Sequence, residues 1–248
     1  LLHELVGLSG IPILLDTKDP SEIVATVKHI AMTFGAIQLE DIAAPRCFEV
    51  ADRLANELSI PVMHDDQSGT AVVVLAALLN ACNASGKDLH TVRIGQIGLG
   101  AAGMGIAQML QLYTGNVVSG TDIAKEQMQR LEFIGGKAAT LDEIMAKSDV
   151  VISTTGRKGL IDPKSIREGQ IIFALSNPEP EIEPPVALEH GALFAADGRS
   201  VNNLLGFPGI WRGATDSKAT KITQEMLVAA SLALFGNVEP PDLLPRPL

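Results

Sequence analysis

Cysteine, tryptophan and tyrosine are nearly absent from this sequence, which holds two of the first and one each of the others. Two cysteines, Cys47 and Cys82, cannot build a disulfide framework, and Cys82 lies inside an apolar helical run where a buried thiol is the plain reading. Nothing demands an oxidising compartment. Basic residues are also scarce, 19 against 29 acidic for a formal charge of −10, and they form no stripe. That balance argues against a nucleic-acid partner, because phosphate binding needs concentrated Lys and Arg. Long apolar runs are missing too. The longest, Thr70 to Cys82, stops short of the roughly 20 residues that a bilayer requires and ends in Asn83-Ala84-Ser85-Gly86, so it reads as a buried helix and no membrane partner is expected. With no charged-then-apolar leader, a cytoplasmic protein is the default expectation.

What is present is a chain of 248 residues, 46% hydrophobic and 19% charged, enough for a real core in more than one lobe. Short β runs alternate with amphipathic helices, the pattern of an α/β fold whose doubly wound parallel sheet is covered on both faces. Asp19-Pro20-Ser21-Glu22 supplies a cap, a first-turn proline and an acid, predicting a helix from Pro20 to about Thr33 with Ile23, Val24, Val27, Ile30 and Ala31 on one face. Ala36 to Leu39 is a strand delivering Glu40-Asp41, Arg46 to Leu58 a helix, and Pro61 to Met63 a strand delivering His64-Asp65-Asp66. A long helix follows from Gly69. Thr91 to Ile97 is then a strand entering Gly98-Leu99-Gly100-Ala101-Ala102-Gly103, followed by a helix to Tyr113, a strand at Val117-Val118 and Asp122 at its end. Further strands are predicted at Val150 to Ser153, Gln170 to Leu175 and Ala192 to Ala196, a last helix at Thr223 to Leu234, and an extended proline-rich tail from Pro240 to Leu248.

The glycine turn follows a strand, opens a helix, and is followed 19 residues after Gly103 by the acid Asp122. In that context Gly98 permits the tight turn, Gly100 lets the backbone approach a pyrophosphate, and Gly103 lets the helix pack on the strand. Asp122 favours NAD over NADP by accepting ribose hydroxyls, and Lys125 nearby softens the preference. The carboxylate doublets Glu40-Asp41 and Asp65-Asp66 have two readings. They could cap the helices that follow, or they could gather and require compensation by a hard divalent cation, Mg²⁺ or Mn²⁺, since the ligands are oxygens. The residues alone leave these level, and the dinucleotide motif tips the balance towards the metal. Asn177, in Ser176-Asn177-Pro178, and Asn203, in Val201-Asn202-Asn203, sit at turns where an amide could reach a nicotinamide or a substrate carboxylate. Tyr113 and Trp211 read as packing residues and His64 as at most a neighbour of the ligands.

Leu39-Glu40-Asp41-Ile42, PVMHDDQSGT from Pro61 to Thr70, GLGAAG, Ser176-Asn177-Pro178 and VNNLLGFPG from Val201 to Gly209 together resemble the malic enzymes, particularly the shorter bacterial type, in order along nearly the whole chain. The resemblance implies oxidation of (S)-malate with NAD(P)⁺ and decarboxylation to pyruvate and CO₂. It implies metal ligands Glu40, Asp41 and Asp66, a catalytic role for Asp65 in positioning a general-base lysine, and substrate amides at Asn177 and Asn203. The cofactor side takes in Gly98, Gly100, Ala101, Ala102, Gly103, Asp122, Thr70, Thr154, Thr155 and Asn177. The organisation it implies is residues 1–65 as the remainder of a smaller α/β substrate and metal domain, 66–202 as a Rossmann-like NAD domain, and 203–248 as a helical segment packing back on the first. A homodimer is expected. The family's catalytic tyrosine and lysine lie N-terminal to the matched region, and no counterpart of either stands in this chain. The expectation is therefore a malic enzyme lacking its N-terminal segment and inactive by itself. A non-catalytic NAD-binding or regulatory module and a malolactic enzyme are the alternatives.

Overall fold

The computed structural model describes residues 1–238 together with Leu243 and Leu244. Apart from those two leucines, the tail predicted to be extended lies outside the described residues. The fold begins with α1 (Leu2–Val6), α2 (Pro20–Ile30), β1 (Ile37–Leu39), α3 (Arg46–Glu57) and β2 (Val62–His64). Asp19 caps α2 as predicted, its side chain accepting from the Ser21 and Glu22 N–H groups, and Ile23, Val24 and Val27 are buried. β1 and β2 pair in parallel with Leu39 opposite His64, so the residues that follow, Glu40 and Asp65, leave the same edge side by side. Ile23, Val24, Val27, Val50, Leu54 and Val62 form the core of this lobe.

A single π-helical turn, Asp65–Gly69, leads into α4 (Thr70–Ala84), and β3 (Ile94–Ile97) and α5 (Ala101–Thr114) follow. Then come β4 (Ser119–Thr121), α6 (Lys125–Phe133), β5 (Lys137–Ala138), α7 (Leu141–Lys147), β6 (Val150–Ser153), β7 (Ile171–Ala174), α8 (Pro184–Glu189), β8 (Phe194–Asp197), α9 (Phe207–Asp216) and α10 (Gln224–Phe235). β3 to β8 form one six-stranded parallel sheet in the order β5-β4-β3-β6-β7-β8. This is the doubly wound Rossmann order, in which the winding reverses between β3 and β6 and leaves a crevice at their carboxyl ends.

The two faces of the sheet are filled by strand alternation. Ile171 and Phe173 of β7 join the core beneath α4 and α5, while Ile172 and Ala174 join the one beneath α7 and α8. Counted with its entering turn, Asp65–Ala84 is 20 residues with a mean hydropathy of 1.3, enough by length and composition to cross a membrane. Yet Val72 to Leu78 are all buried, because α4 lies between α5 and α10 inside the core. The strand after α5 differs from its predicted place. β-branched Val117-Val118 attract a strand assignment, but the ladder pairs Gly95 with Ser119 and Gln96 with Gly120. Gly120 is there because a Cβ would fall 2.4 Å from Leu131.

Leu75 is fully enclosed at the centre of α4. Truncation by Leu75→Ala should lower unfolding stability by about 3 kcal/mol, read from the urea midpoint at unchanged slope; a loss under about 1 kcal/mol would mean that the helix is not the buried centre of the fold.

Candidate active site

Three strand ends build the site. At the end of β1, Asp41 takes a left-handed backbone conformation, φ 56°, and its N–H donates to Asp66 Oδ2 at 3.1 Å, tying the two doublets together. Such a φ costs least for Asp, Asn and Gly. Glu40 Oε2 accepts from Gln38 Nε2 at 2.7 Å, and Gln38 Oε1 in turn accepts from Trp211 Nε1 at 2.7 Å. The indole is thus both packed and an orienting donor, reaching Glu40 through one amide. At the end of β2, Asp65 is buried, accepts from Asn203 Nδ2 at 2.5 Å through Oδ2, and leaves Oδ1 without a partner among the described residues. Gly69 closes the turn over that oxygen, since a Cβ there would lie 2.0 Å from it.

Neither aspartate caps the helix that follows: the turn and α4 both begin without a side-chain cap hydrogen bond. The electrostatics are those of gathered like charge. Burial, then Glu40 and Asp66, push the Asp65 carboxyl up to about 7, against the lowering bond from Asn203. Glu40 is raised by partial desolvation, with Asp66 and Asp41 adding to it and the Gln38 bond opposing. His64, buried with neither ring nitrogen hydrogen-bonded among the described residues, has its pKa lowered by burial, so its imidazole supplies no counter-charge at neutral pH. Among the described residues no three His, Cys, Asp or Glu side chains converge as a ready ligand set. The carboxylates are adjacent but turned towards protein donors. Their chemistry nevertheless fits a hard cation: Glu40, Asp41 and Asp66 offer oxygen donors only and carry surplus negative charge, gathered closely enough for Asp66 and Asp41 to raise the Glu40 carboxyl.

At the end of β3 the three motif glycines have different surroundings. Gly98 has φ 85°, Gly100 faces open space, and a Cβ on Gly103 would lie 1.9 Å from the Gly98 carbonyl oxygen. Ala101 and Ala102 form the first turn of α5, which has no side-chain cap and so keeps its amides for an anion. Asp122 accepts from Leu99 N at 2.7 Å and Ala124 N at 2.8 Å, one bond to each oxygen, fixing the carboxylate beside the glycine turn. Thr154 Oγ1 donates to the Gly98 carbonyl at 3.3 Å and accepts from Gln96 Nε2 at 3.0 Å, so this hydroxyl braces the turn. Thr155 stands one residue on, and Asn177 is exposed after β7 with its amide donating to Gly198 O at 3.4 Å. Thr70 opens α4, half-buried.

The carboxylate turn lies directly against the dinucleotide helix. α5 packs on Asp65–Gly69, and a Cβ on Gly105 would come within 2.3 Å of the Gln67 carbonyl oxygen. Sequence reasoning missed Gln38, Gln96 and Glu181, polar residues whose partners are distant or hidden. Only their place at or after predicted strands could have flagged them. A cavity of about 390 Å³ lined by Arg93, Ser119, Lys137 and Glu143 opens at the amino-terminal edge of the sheet, away from the crevice.

The model of the malic enzyme NAD binding domain matches residues 67–135. NAD-dependent malic enzyme 1 of Bacillus subtilis is 57% identical over 249 residues, covering 100% of this chain and 57% of that protein. The solved structure of an NAD-dependent malic enzyme from Thermotoga maritima superposes with a TM-score of 0.90 at 35% identity, covering 99% of this chain and 71% of that one. The chain belongs to the malic enzyme family. A bifunctional malic/malolactic enzyme of Bacillus subtilis is 38% identical, covering 98% of this chain and 64% of its own length. The chain thus spans 57% and 64% of these two curated relatives.

The Asp65 shift has a sign that can be checked. A folded-state pKa of about 7 lies above the ordinary value of 3.8, so the metal-free fold keeps the group's full contribution below pH 4 and loses it as pH rises through 7. Asp65→Asn removes the ionisation and keeps an acceptor for Asn203. In EDTA its stability gain over the parent should grow from near zero at pH 4 to a few kcal/mol at pH 8. Thermal unfolding across that range would show a flat difference if Asp65 titrates normally.

Proposed function

We propose that this chain is the metal- and dinucleotide-holding part of a malic enzyme that oxidises and decarboxylates (S)-malate to pyruvate and CO₂ with NAD(P)⁺. The observation that carries the reading is the docking of the Asp65–Gly69 carboxylate turn onto the helix opened by the glycine turn, across Gln67 and Gly105. It puts a demand for a cation and a seat for a dinucleotide on adjoining elements.

Glu40, Asp41 and Asp66 are the residues that would hold Mg²⁺ or Mn²⁺. Such an ion supplies a Lewis acid for the substrate's hydroxyl and carboxylate oxygens and a sink for the charge left when CO₂ departs. NAD(P)⁺, when bound, supplies the hydride acceptor. The remaining work belongs to the chain. The first turn of α5 offers unsatisfied amides to the pyrophosphate, and Asp122 holds the ribose while its bonds to Leu99 and Ala124 keep it in place. Asp65, buried with a raised pKa, orients a base through the oxygen that has no partner among the described residues. Asn203 fixes Asp65 with one amide hydrogen and keeps the other for the substrate, and Asn177 presents its amide from the next strand end. No residue of this chain is assigned the roles of acid or base, so the tests are binding measurements.

Calorimetric titration with Mn²⁺ should show one site per chain, and Asp66→Ala should abolish it; equal affinity in the variant would remove the metal from the carboxylate turn. For the dinucleotide, Asp122→Ala should weaken NAD⁺ about tenfold or more while changing NADP⁺ less, as expected for lost hydrogen bonds to a charged acceptor. Parallel losses for both dinucleotides would take Asp122 out of ribose recognition.

A further inference from the structure

Glu181 is completely enclosed, and no cation pairs with it among the described residues. Burial pushes its carboxyl up, but hydrogen bonds from Ser176 and Thr155 outweigh burial and hold it below the ordinary range, so it is buried as an anion. Its Oε1 accepts from Ser176 Oγ at 2.5 Å, Thr155 N at 2.6 Å and Thr155 Oγ1 at 2.8 Å, and Oε2 accepts from Ser176 N at 3.4 Å. Both hydroxyls are used twice. Ser176 Oγ also accepts from Gly156 N at 2.7 Å, and Thr155 Oγ1 from Arg157 N at 3.1 Å. One carboxylate therefore ties the turn after β6 to the turn after β7.

These turns occupy a defined half of the crevice. In this strand order a dinucleotide lies across the switch between β3 and β6, one mononucleotide on each side. Asp122, at the end of β4, marks the adenosine side, which leaves the ends of β6, β7 and β8 to the nicotinamide half. Thr155 precedes the turn glycine Gly156, and Asn177 follows Ser176 directly.

We propose that Glu181 is the positioning residue for the nicotinamide half of the site, locking the Thr154–Gly156 turn onto Ser176-Asn177 so that Thr155 and Asn177 are presented to the ring as one rigid unit. The proposal rests on the dinucleotide reading above and adds to it a residue that touches neither cofactor nor substrate. Replacement by glutamine keeps size and one acceptor but removes the charge that strengthens all four bonds.

The test compares two probes on the chain itself. ADP-ribose carries the adenosine and pyrophosphate without the ring, and NADH reports the ring through its fluorescence enhancement. With Glu181→Gln, ADP-ribose affinity should stay within about twofold, while NADH should weaken about tenfold and lose its enhancement. Ser176→Ala, which removes one donor to Glu181 and the acceptor of the Gly156 N–H, should shift NADH alone in the same direction by less, and it decides the matter if the glutamine variant does not fold. Equal loss of both probes, or NADH binding with full enhancement in both variants, would overturn the proposal. Failure of the unaltered chain to bind either probe would instead overturn the dinucleotide reading, and the proposal with it.

Discussion

The contact on which the arrangement depends is the approach of the Gln67 carbonyl to Gly105, too close for any side chain on the helix. It is a backbone-to-backbone joint between the turn that carries the aspartates and the helix that opens at the glycine turn. Rigid elements in direct backbone contact hold their separation better than elements joined through long side chains, and the proposed hydride transfer would tolerate little error in separation. The rest of the site is arranged around this joint. β1 follows β2 through the Asp41–Asp66 bond, and β6 follows β3 through Thr154 and Gln96.

The C-terminal segment contributes by reaching back. Asn203 bonds to Asp65, and Trp211 bonds to Gln38, which bonds to Glu40, so two of the four carboxylates are oriented by residues far along the chain. The Asn203 and Gln38 bonds also oppose ionic repulsion by giving a carboxylate a donor. The repulsion is only partly relieved, because Asp65 and Glu40 both remain above their ordinary pKa values. Metal-free, the cluster is a stored electrostatic cost of the kind that a bound cation would remove.

How much of this could be read in the sequence follows from where the signals sit. Strand ends with doublets and glycines were legible because an apolar run followed abruptly by Glu40-Asp41, Asp65-Asp66 or Gly98 marks the edge of a parallel sheet whatever the tertiary packing. The region between Asp122 and Val150 was not, because α6 buries only Gln127 and Leu131 and has little apolar periodicity to show. β4 was displaced for a related reason: Gly120 is in the strand to make room for Leu131, and a three-residue strand whose one β former is Thr121 carries a weaker β signature than Val117-Val118. Glu181 was invisible because its meaning lies in partners 5 and 26 residues away. Glu40 and Asp65 announce themselves as neighbours of another acid, whereas Glu181 looks like any glutamate in a proline-rich turn.

Glu181 and Asp65 show why burial alone does not decide what a carboxylate does. Both are nearly or wholly removed from solvent. Glu181 receives four hydrogen bonds and its pKa falls, while Asp65 receives one, faces two other carboxylates, and rises to about 7. The same desolvation acts on each; the count of donors and the sign of the neighbouring charges set the outcome. A saturated carboxylate has no capacity left for a ligand and can only hold structure. An unsaturated one, with an oxygen free and a pKa near neutrality, is costly to the fold and available to chemistry. The two therefore divide along the crevice, with Glu181 fixing the turns that face the nicotinamide half and Asp65 keeping a buried, unpartnered oxygen at the carboxylate turn.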